Sequence, residues 1–143
     1  MAVSHHDCVF CRIAAGELHA RQVLETPRCV AFLDAAPLAP GHTLVVPREH
    51  AVQLHELSDD VVAELAVSVR SLGRAIAEAV GAAGYNVLQN NGAVAGQVVQ
   101  HVHFHLIPRR EDDGLGYRWN PIAGEDKRDD ELAGRIRRAL AQP

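Results

Sequence analysis

The sequence predicts a mixed α and β domain, and three observations carry that prediction. Histidines alternate with apolar residues from 101 to 106, the period of a strand. Several short β-type runs are punctuated by proline and glycine. One stretch, from Ser58 to about Val80, repeats its apolar residues at intervals of three and four, the period of a helix. The chain has 143 residues, 48% of them hydrophobic and 22% charged. That is enough for one core and too little for two, so the whole of 1–143 reads as a single domain with its core at about 8–110 and a tail at 111–143.

Charge and composition exclude several classes. A formal net charge of −4 argues against a general electrostatic hold on nucleic acid, although local donors could still hold a nucleotide. No apolar run approaches the length of a membrane span, and the stretch from Met1 to Cys11 lacks the apolar segment of a signal peptide. The expectation is a cytoplasmic protein with no membrane partner. Cys8, Cys11 and Cys29 suit a reducing compartment, where thiols stay free or bind metal.

The elements follow in order. Cys8-Val9-Phe10-Cys11 opens the domain. Its spacing reads as a pair of metal ligands, a redox couple, two free thiols or a disulfide. A redox motif belongs at a strand-to-helix junction within a βαβ unit, and only a polar leader with His5 and His6 precedes this pair. A zinc site would need two further ligands, which downstream histidines could supply. Gln22 to Glu25 and Cys29 to Leu33 form a hairpin around Thr26-Pro27-Arg28, with Cys29 as a small core residue. Asp34 follows, a residue type that caps turns. A loop rich in proline and alanine then runs from Ala35 to Gly41, and a strand from His42 to Val46 stops at Pro47.

Ser58-Asp59-Asp60 supplies an N-cap and an acidic first turn for the long helix. Val61, Leu65, Val69, Leu72 and Ile76 make one buried stripe, and Gly81 and Gly84 end it. No chemistry is visible there. Tyr85 to Gln89 reads as another strand. Asn90 to Gln97 is too glycine-rich to continue it, and Gly92 and Gly96 permit a backbone that turns amides toward one point, a candidate anion site. The next strand carries His101, His103 and His105 to Pro108. On a strand these three share one face, about 7 Å between successive Cβ atoms, while Val102, Phe104 and Leu106 face the core. Residues 109–126 read as loop, with Trp119 a candidate cover for a partner or a neighbouring site. Asp129 to Leu140 reads as a terminal helix with Leu132, Ile136, Ala139 and Leu140 as its apolar stripe. His19 and His55 read as surface residues.

The run Gln100-His101-Val102-His103-Phe104-His105-Leu106-Ile107 resembles the signature of the histidine triad family of nucleotide hydrolases and transferases. Asn90-Asn91-Gly92-Ala93-Val94-Ala95-Gly96-Gln97 and Gly41-His42-Thr43-Leu44-Val45-Val46-Pro47 are similar to two further segments of that family, and the likeness runs from about Cys8 to Arg110. It implies an α+β fold, an antiparallel sheet of about five strands with one long helix on a face; the short C-terminal helix read at Asp129 to Leu140 lies beyond the likeness. It also implies a homodimer with one continuous sheet.

The resemblance implies residue roles as well. His103 matches the nucleophile, and His105 the residue on the scissile phosphate and leaving-group side. His42 and His101 flank them. Asp34 resembles the acceptor of the ribose hydroxyls. Val9, Phe10 and Phe32 lie where the base pocket is built, alongside Ile13 and Leu33, which read equally as core. Asn90 and the amides around Gly96 and Gln97 would hold phosphate oxygens. Many members carry Ser or Thr after the Gly-Gln pair, and here Val98 stands there with only a backbone amide to offer. In many bacterial members a Cys-x-x-Cys pair is completed by two distant histidines. The matching set is Cys8, Cys11, His50 and His101, implying one structural zinc ion per chain.

The activity implied is hydrolysis at the α-phosphate of a purine nucleotide, releasing AMP from adenosine phosphoramidates through a nucleotidyl-histidine intermediate. The alternatives are hydrolysis of a dinucleoside polyphosphate such as diadenosine tetraphosphate and, from a different class, a nucleotide-binding regulatory or scaffold module. Nucleotidyl transfer ranks below these because 143 residues leave little room for a second pocket. A metal-storage role would require several labile ions per chain, against the single one expected.

Overall fold

A computed structural model of the chain describes residues 6–116, 121–122 and 126–142. His5 and Trp119 lie outside the described residues. The first element is a helix, α1 (Val9–Ala14), which the sequence reading leaves out. Phe10 and Ile13, three residues apart, are both buried on one side of it. The same helical turn carries the thiols of Cys8, at the N-cap position, and Cys11 to a common point.

Strands β1 (Gln22–Glu25) and β2 (Cys29–Leu33) form the expected hairpin. Thr26 closes it: its Oγ1 accepts the Cys29 N–H at 2.9 Å and donates to the Cys29 carbonyl at 3.2 Å. β3 (Thr43–Pro47), β4 (Gly84–Gln89) and β5 (Phe104–Arg109) complete a five-stranded sheet in the order β1-β2-β3-β5-β4, with every neighbouring pair antiparallel. β3 starts one residue later than the sequence suggests, because the His42 N–H turns back to the Ala39 carbonyl at 3.0 Å. It also includes Pro47, which stands opposite Cys29 at the end of the ladder.

β5 begins at Phe104, so His101, at a bend, and His103 stand on irregular chain just ahead of the strand. The reason is pairing. Both neighbours of β5 end their registers at Phe104, and upstream the Val102 N–H goes to the Ala51 carbonyl at 2.8 Å. The alternation of side chains survives this change. Val102 and Leu106 pack with α2 (Asp59–Val80), while His101 and His103 lie against Phe10 of α1 on the opposite side of the sheet.

Two cores result, one on each face. Cys29, Ala31 and Val45 meet Val61, Leu65, Val69, Leu72 and Ile76 of α2. Val30, Phe32, Leu44 and Val46 meet Cys8, Phe10 and Ile13. The period-two alternation within β2 and β3 divides the residues between the two faces. Each fully buried Leu or Val contributes about 1.5–3 kcal/mol relative to an exposed one. Ser58 occupies the N-cap position of α2 but makes no side-chain capping bond there, so the acidic first turn of Asp59 and Asp60 is what meets the helix dipole. Gly81 caps the C-terminus in the left-handed conformation, and Gly84 belongs to β4.

Beyond β5 the chain folds back over Arg109. Its guanidinium donates to both Asp113 carboxylate oxygens at 2.8 and 3.1 Å and to the Leu115 carbonyl at 2.7 Å, which holds the Asp113 carboxyl well below the usual carboxylate range. The terminal helix α3 (Asp126–Leu140) starts three residues before the expected Asp129, since an apolar stripe cannot report a polar first turn. Leu132, Ile136 and Leu140 of its stripe are exposed. Among the described residues no helix is long and apolar enough to cross a membrane.

Candidate active site

The face of the sheet that carries α1 holds a cleft of about 530 Å³. Val9, Phe10, Phe32, Asp34, Val98, His103 and His105 all line it, as do Ile13 and Leu33. A second hollow of about 350 Å³ near Arg12 and Arg48 offers weaker chemistry. Its cations are already engaged: Arg12 with Glu17 at 3.6 Å, Arg48 with Glu25 at 2.7 Å and with the Ala14 carbonyl at 2.6 Å.

The protons of His103 and His105 in the cleft, and of the buried His42 beside His105, can be placed from their partners. His103 Nδ1 lies 2.7 Å from the His101 carbonyl oxygen, which can only accept, so Nδ1 carries the hydrogen and Nε2 keeps a bare lone pair. The Leu38 N–H can only donate, and it points at His42 Nδ1 from 3.0 Å. His42 is therefore neutral with its hydrogen on Nε2. That hydrogen meets His105 Nδ1 at 2.9 Å, with Asp34 Oδ2 farther away at 3.5 Å. His105 must then carry its own hydrogen on Nε2.

Burial favours the neutral form of His42 and His105. Burial pushes His105 down to about 4, helped by the nearby rings of His103 and His42, and burial also lowers His42. Asp34 both caps its turn and faces the histidines: Oδ1 accepts the Ala36 N–H at 2.9 Å while Oδ2 approaches His42.

Cys8, Cys11, His50 and His101 converge, all four ligand atoms within 4.8 Å of one another. A tetrahedral zinc ion bound at ordinary lengths sets nitrogen–nitrogen separations of roughly 3.3 Å and sulfur–nitrogen separations of roughly 3.6 Å. The observed values are 3.2 Å between His50 Nδ1 and His101 Nδ1, 3.3 Å from Cys8 Sγ to His101 Nδ1, and 3.3 and 3.5 Å from Cys11 Sγ to the two rings. The donor set fits. His101 Nε2 is held 2.9 Å from the Pro47 carbonyl, so its hydrogen lies there and Nδ1 is left bare toward the sulfurs. Burial and the adjoining Cys8 sulfur push the Cys11 thiol up to about 12, a charge problem that a bound cation resolves.

Asp34, His42 and His105 also bring three ligand atoms within 4.8 Å. Here the chemistry does not fit a metal. With Leu38 donating to Nδ1, coordination through His42 Nε2 would require an imidazolate.

The glycine loop departs from expectation. Gly92 and Gly96 adopt positive φ values of 91° and 92°, as a turning loop requires. The loop nevertheless spends its amides internally. The Gly96 N–H goes to the Ala93 carbonyl at 3.0 Å and the Gln97 N–H to the Gly92 carbonyl at 3.2 Å. The Gln97 side chain is used as well, accepting from the Gly92 N–H and donating to the Val52 carbonyl, both at 2.7 Å. Asn90 Nδ2 reaches the Gly96 carbonyl at 3.4 Å. Asn90, Gly96 and Gln97 thus brace the loop, and Val98, next along the chain, is its residue on the cleft wall. A short 3₁₀ turn at Ala93–Ala95 takes the Gly96 amide.

Sequence reading missed His19, Arg21, Leu44 and Val99, which also line the cleft. Counting back from the hairpin turn would have found Arg21 beside Leu33, whose N–H it accepts at 3.0 Å. An irregularity between Gln22 and Leu24 defeats that count.

A profile of the HIT domain matches residues 15–112. The chain belongs to the HIT family. Among HIT proteins, the adenosine 5′-monophosphoramidase of Schizosaccharomyces pombe is 47% identical over 122 residues, covering 83% of this chain and 89% of that one. A crystal structure from Streptococcus mutans superposes with a TM-score of 0.91 at 36% identity, covering 98% and 89% of the two chains. A zinc-bound histidine triad family protein of Mycobacterium smegmatis gives a TM-score of 0.74 at 36% identity, covering 95% and 94%.

Proposed function

We propose that this HIT protein hydrolyses the bond between the α-phosphorus of a purine nucleotide and an amine, releasing AMP from adenosine phosphoramidates. The observation that carries the reading is the His103 ring: Nδ1–H tied to the His101 carbonyl at 2.7 Å, leaving a bare Nε2 in the cleft. A neutral imidazole of that kind attacks phosphorus without further activation. The 47% identity to an adenosine 5′-monophosphoramidase supports the same choice of substrate.

In the first half-reaction the Nε2 lone pair forms a bond to phosphorus, the P–N bond breaks, and the amine departs with a proton from solvent. The His101 carbonyl stabilises the positive charge this places on the ring. His105 Nε2–H donates to the phosphoryl oxygens as charge moves onto them. Water then attacks phosphorus, the electron pair returns to His103, and a proton goes back to solvent. Phe10 and Phe32 would hold the base, and Asp34 retains lone pairs on both oxygens for the ribose hydroxyls.

A zinc ion held by Cys8, Cys11, His50 and His101 would be structural, with all four positions filled by protein. It would fasten α1 to the chain leading into β5. The bare edge of β4, with Val87 and Leu88 exposed, supports pairing with a second copy of the chain. Cys8 and Cys11 placed as metal ligands suit a reducing, cytoplasmic setting.

Rates on an adenosine phosphoramidate and on diadenosine tetraphosphate, measured side by side, test the reading. The phosphoramidate is expected to turn over faster, with an adenylyl adduct on His103 visible by mass spectrometry after rapid quenching. Faster cleavage of the dinucleotide would transfer the assignment to polyphosphate hydrolysis.

A further inference from the structure

The segment from Asp34 to His42 is closed on itself. The Asp34 N–H donates to the His42 carbonyl at 2.9 Å and the His42 N–H to the Ala39 carbonyl at 3.0 Å. Gly41 makes the closure possible: its φ is +89°, and a Cβ there would stand 2.9 Å from Val80 Cγ1 and 3.3 Å from Ile76 Cγ2. The loop thereby fixes one backbone amide, that of Leu38, at 3.0 Å from His42 Nδ1. The Leu38 side chain is exposed and stands on no wall of the active-site cleft.

We propose that the main-chain N–H of Leu38 is a positioning group that sets the tautomer of the catalytic histidine His105 through His42. An amide hydrogen cannot move, so His42 Nδ1 has to accept. His42 Nε2 then has to donate, His105 Nδ1 has to accept at 2.9 Å, and the His105 hydrogen is left on Nε2, the nitrogen that would meet the phosphoryl group in the proposed function. Without the amide the relay could run the other way. His105 would then present a lone pair to an anionic phosphoryl group, losing a donor and adding repulsion. The device works with both rings neutral, as their burial favours. This inference rests on the proposed function for its catalytic consequence alone; the tautomers themselves can be read without substrate.

Replacing the Leu38 amide with an ester, by incorporating the α-hydroxy analogue of leucine, removes one hydrogen and keeps the side chain. Nitrogen-15 NMR of the imidazoles is the direct readout. In the unmodified protein His42 Nδ1 and His105 Nδ1 are expected to give pyridine-type shifts, and their Nε2 atoms pyrrole-type shifts. In the ester both rings are expected to reverse. Leu38→Ala, which keeps the amide, should retain the original pattern. On an adenosine phosphoramidate the ester should lower kcat on the order of 10²-fold with little change in KM, the loss typical of one donor to a developing oxyanion. A reversed pattern in the unmodified protein, or an ester variant with unchanged tautomers and kcat, overturns the inference. Failure of the unmodified protein to cleave any nucleotide phosphoramidate would strike the proposed function, and the NMR pattern would still decide this one.

Discussion

Two clusters of histidines lie in this protein, one joined by two thiols and one by a carboxylate, and they differ in where each ring's second nitrogen is tied. In the thiol cluster His101 gives its Nε2 hydrogen to the Pro47 carbonyl, so its Nδ1 lone pair converges with the sulfurs of Cys8 and Cys11 and with His50 Nδ1. In the cleft His103 gives its Nδ1 hydrogen to the His101 carbonyl, and the opposite nitrogen becomes the free one. His42 receives a hydrogen from Leu38 and passes its own to His105. Lone pairs aimed at one point suit a metal. On the proposed function, a single lone pair beside a donated hydrogen would be a nucleophile with an electrophilic helper. Residues two apart on one chain thus acquire opposite chemistry from the carbonyl or amide behind each ring.

The sharpest way to break this contrast is to remove the free lone pair of the cleft. His103→Asn should lower turnover by on the order of 10⁴-fold or more while AMP affinity, measured calorimetrically, stays within a few-fold. A variant with wild-type turnover would remove His103 from its role. The thiol cluster should respond in the opposite sense. Cys8→Ser, or a strong chelator, is expected to lower the melting temperature by on the order of 5–10 °C and to change kcat by only a few-fold. Identical melting curves with and without chelator would end the structural-zinc reading.

The smallest effect expected is on pH dependence. His105 is neutral in the fold down to about 4, whereas in the unfolded chain it takes up a proton near 6.5. Its folded pKa is depressed, so the stability it contributes is present above pH 6.5 and is lost as the pH falls toward 4. His42 shifts in the same direction. Melting temperatures of the wild type should fall across that window, and His105→Asn should flatten the slope. A slope unaffected by that substitution would separate stability from the cleft rings.

Much of this arrangement was legible in the residues. The alternation at 101–106 marked which side chains share a face, and the stripe from Val61 to Ile76 marked the helix that covers the other one. The thiol pair and the distant His50 and His101 followed from the family likeness, and their ligand atoms do converge. The glycine loop is where the residues say least, for a physical reason. Glycines report that a backbone can turn, but not whether its amides are then bonded within the loop, as happens at Gly96 and Gln97. The helix of α1 went unread because six residues are too short for a periodic signal. Arg21 stayed hidden behind an irregularity in β1 that no propensity reports.

By itself the sequence determined the family, the two-faced sheet and the set of imidazoles, because periodicity and residue type are properties of the chain alone. Only the tertiary structure decided which nitrogen of each ring carries its hydrogen. That choice depends on a carbonyl two residues away for His103, on Pro47 for His101, and on a loop amide for His42, and these partners meet only when the strands and loops have closed around them.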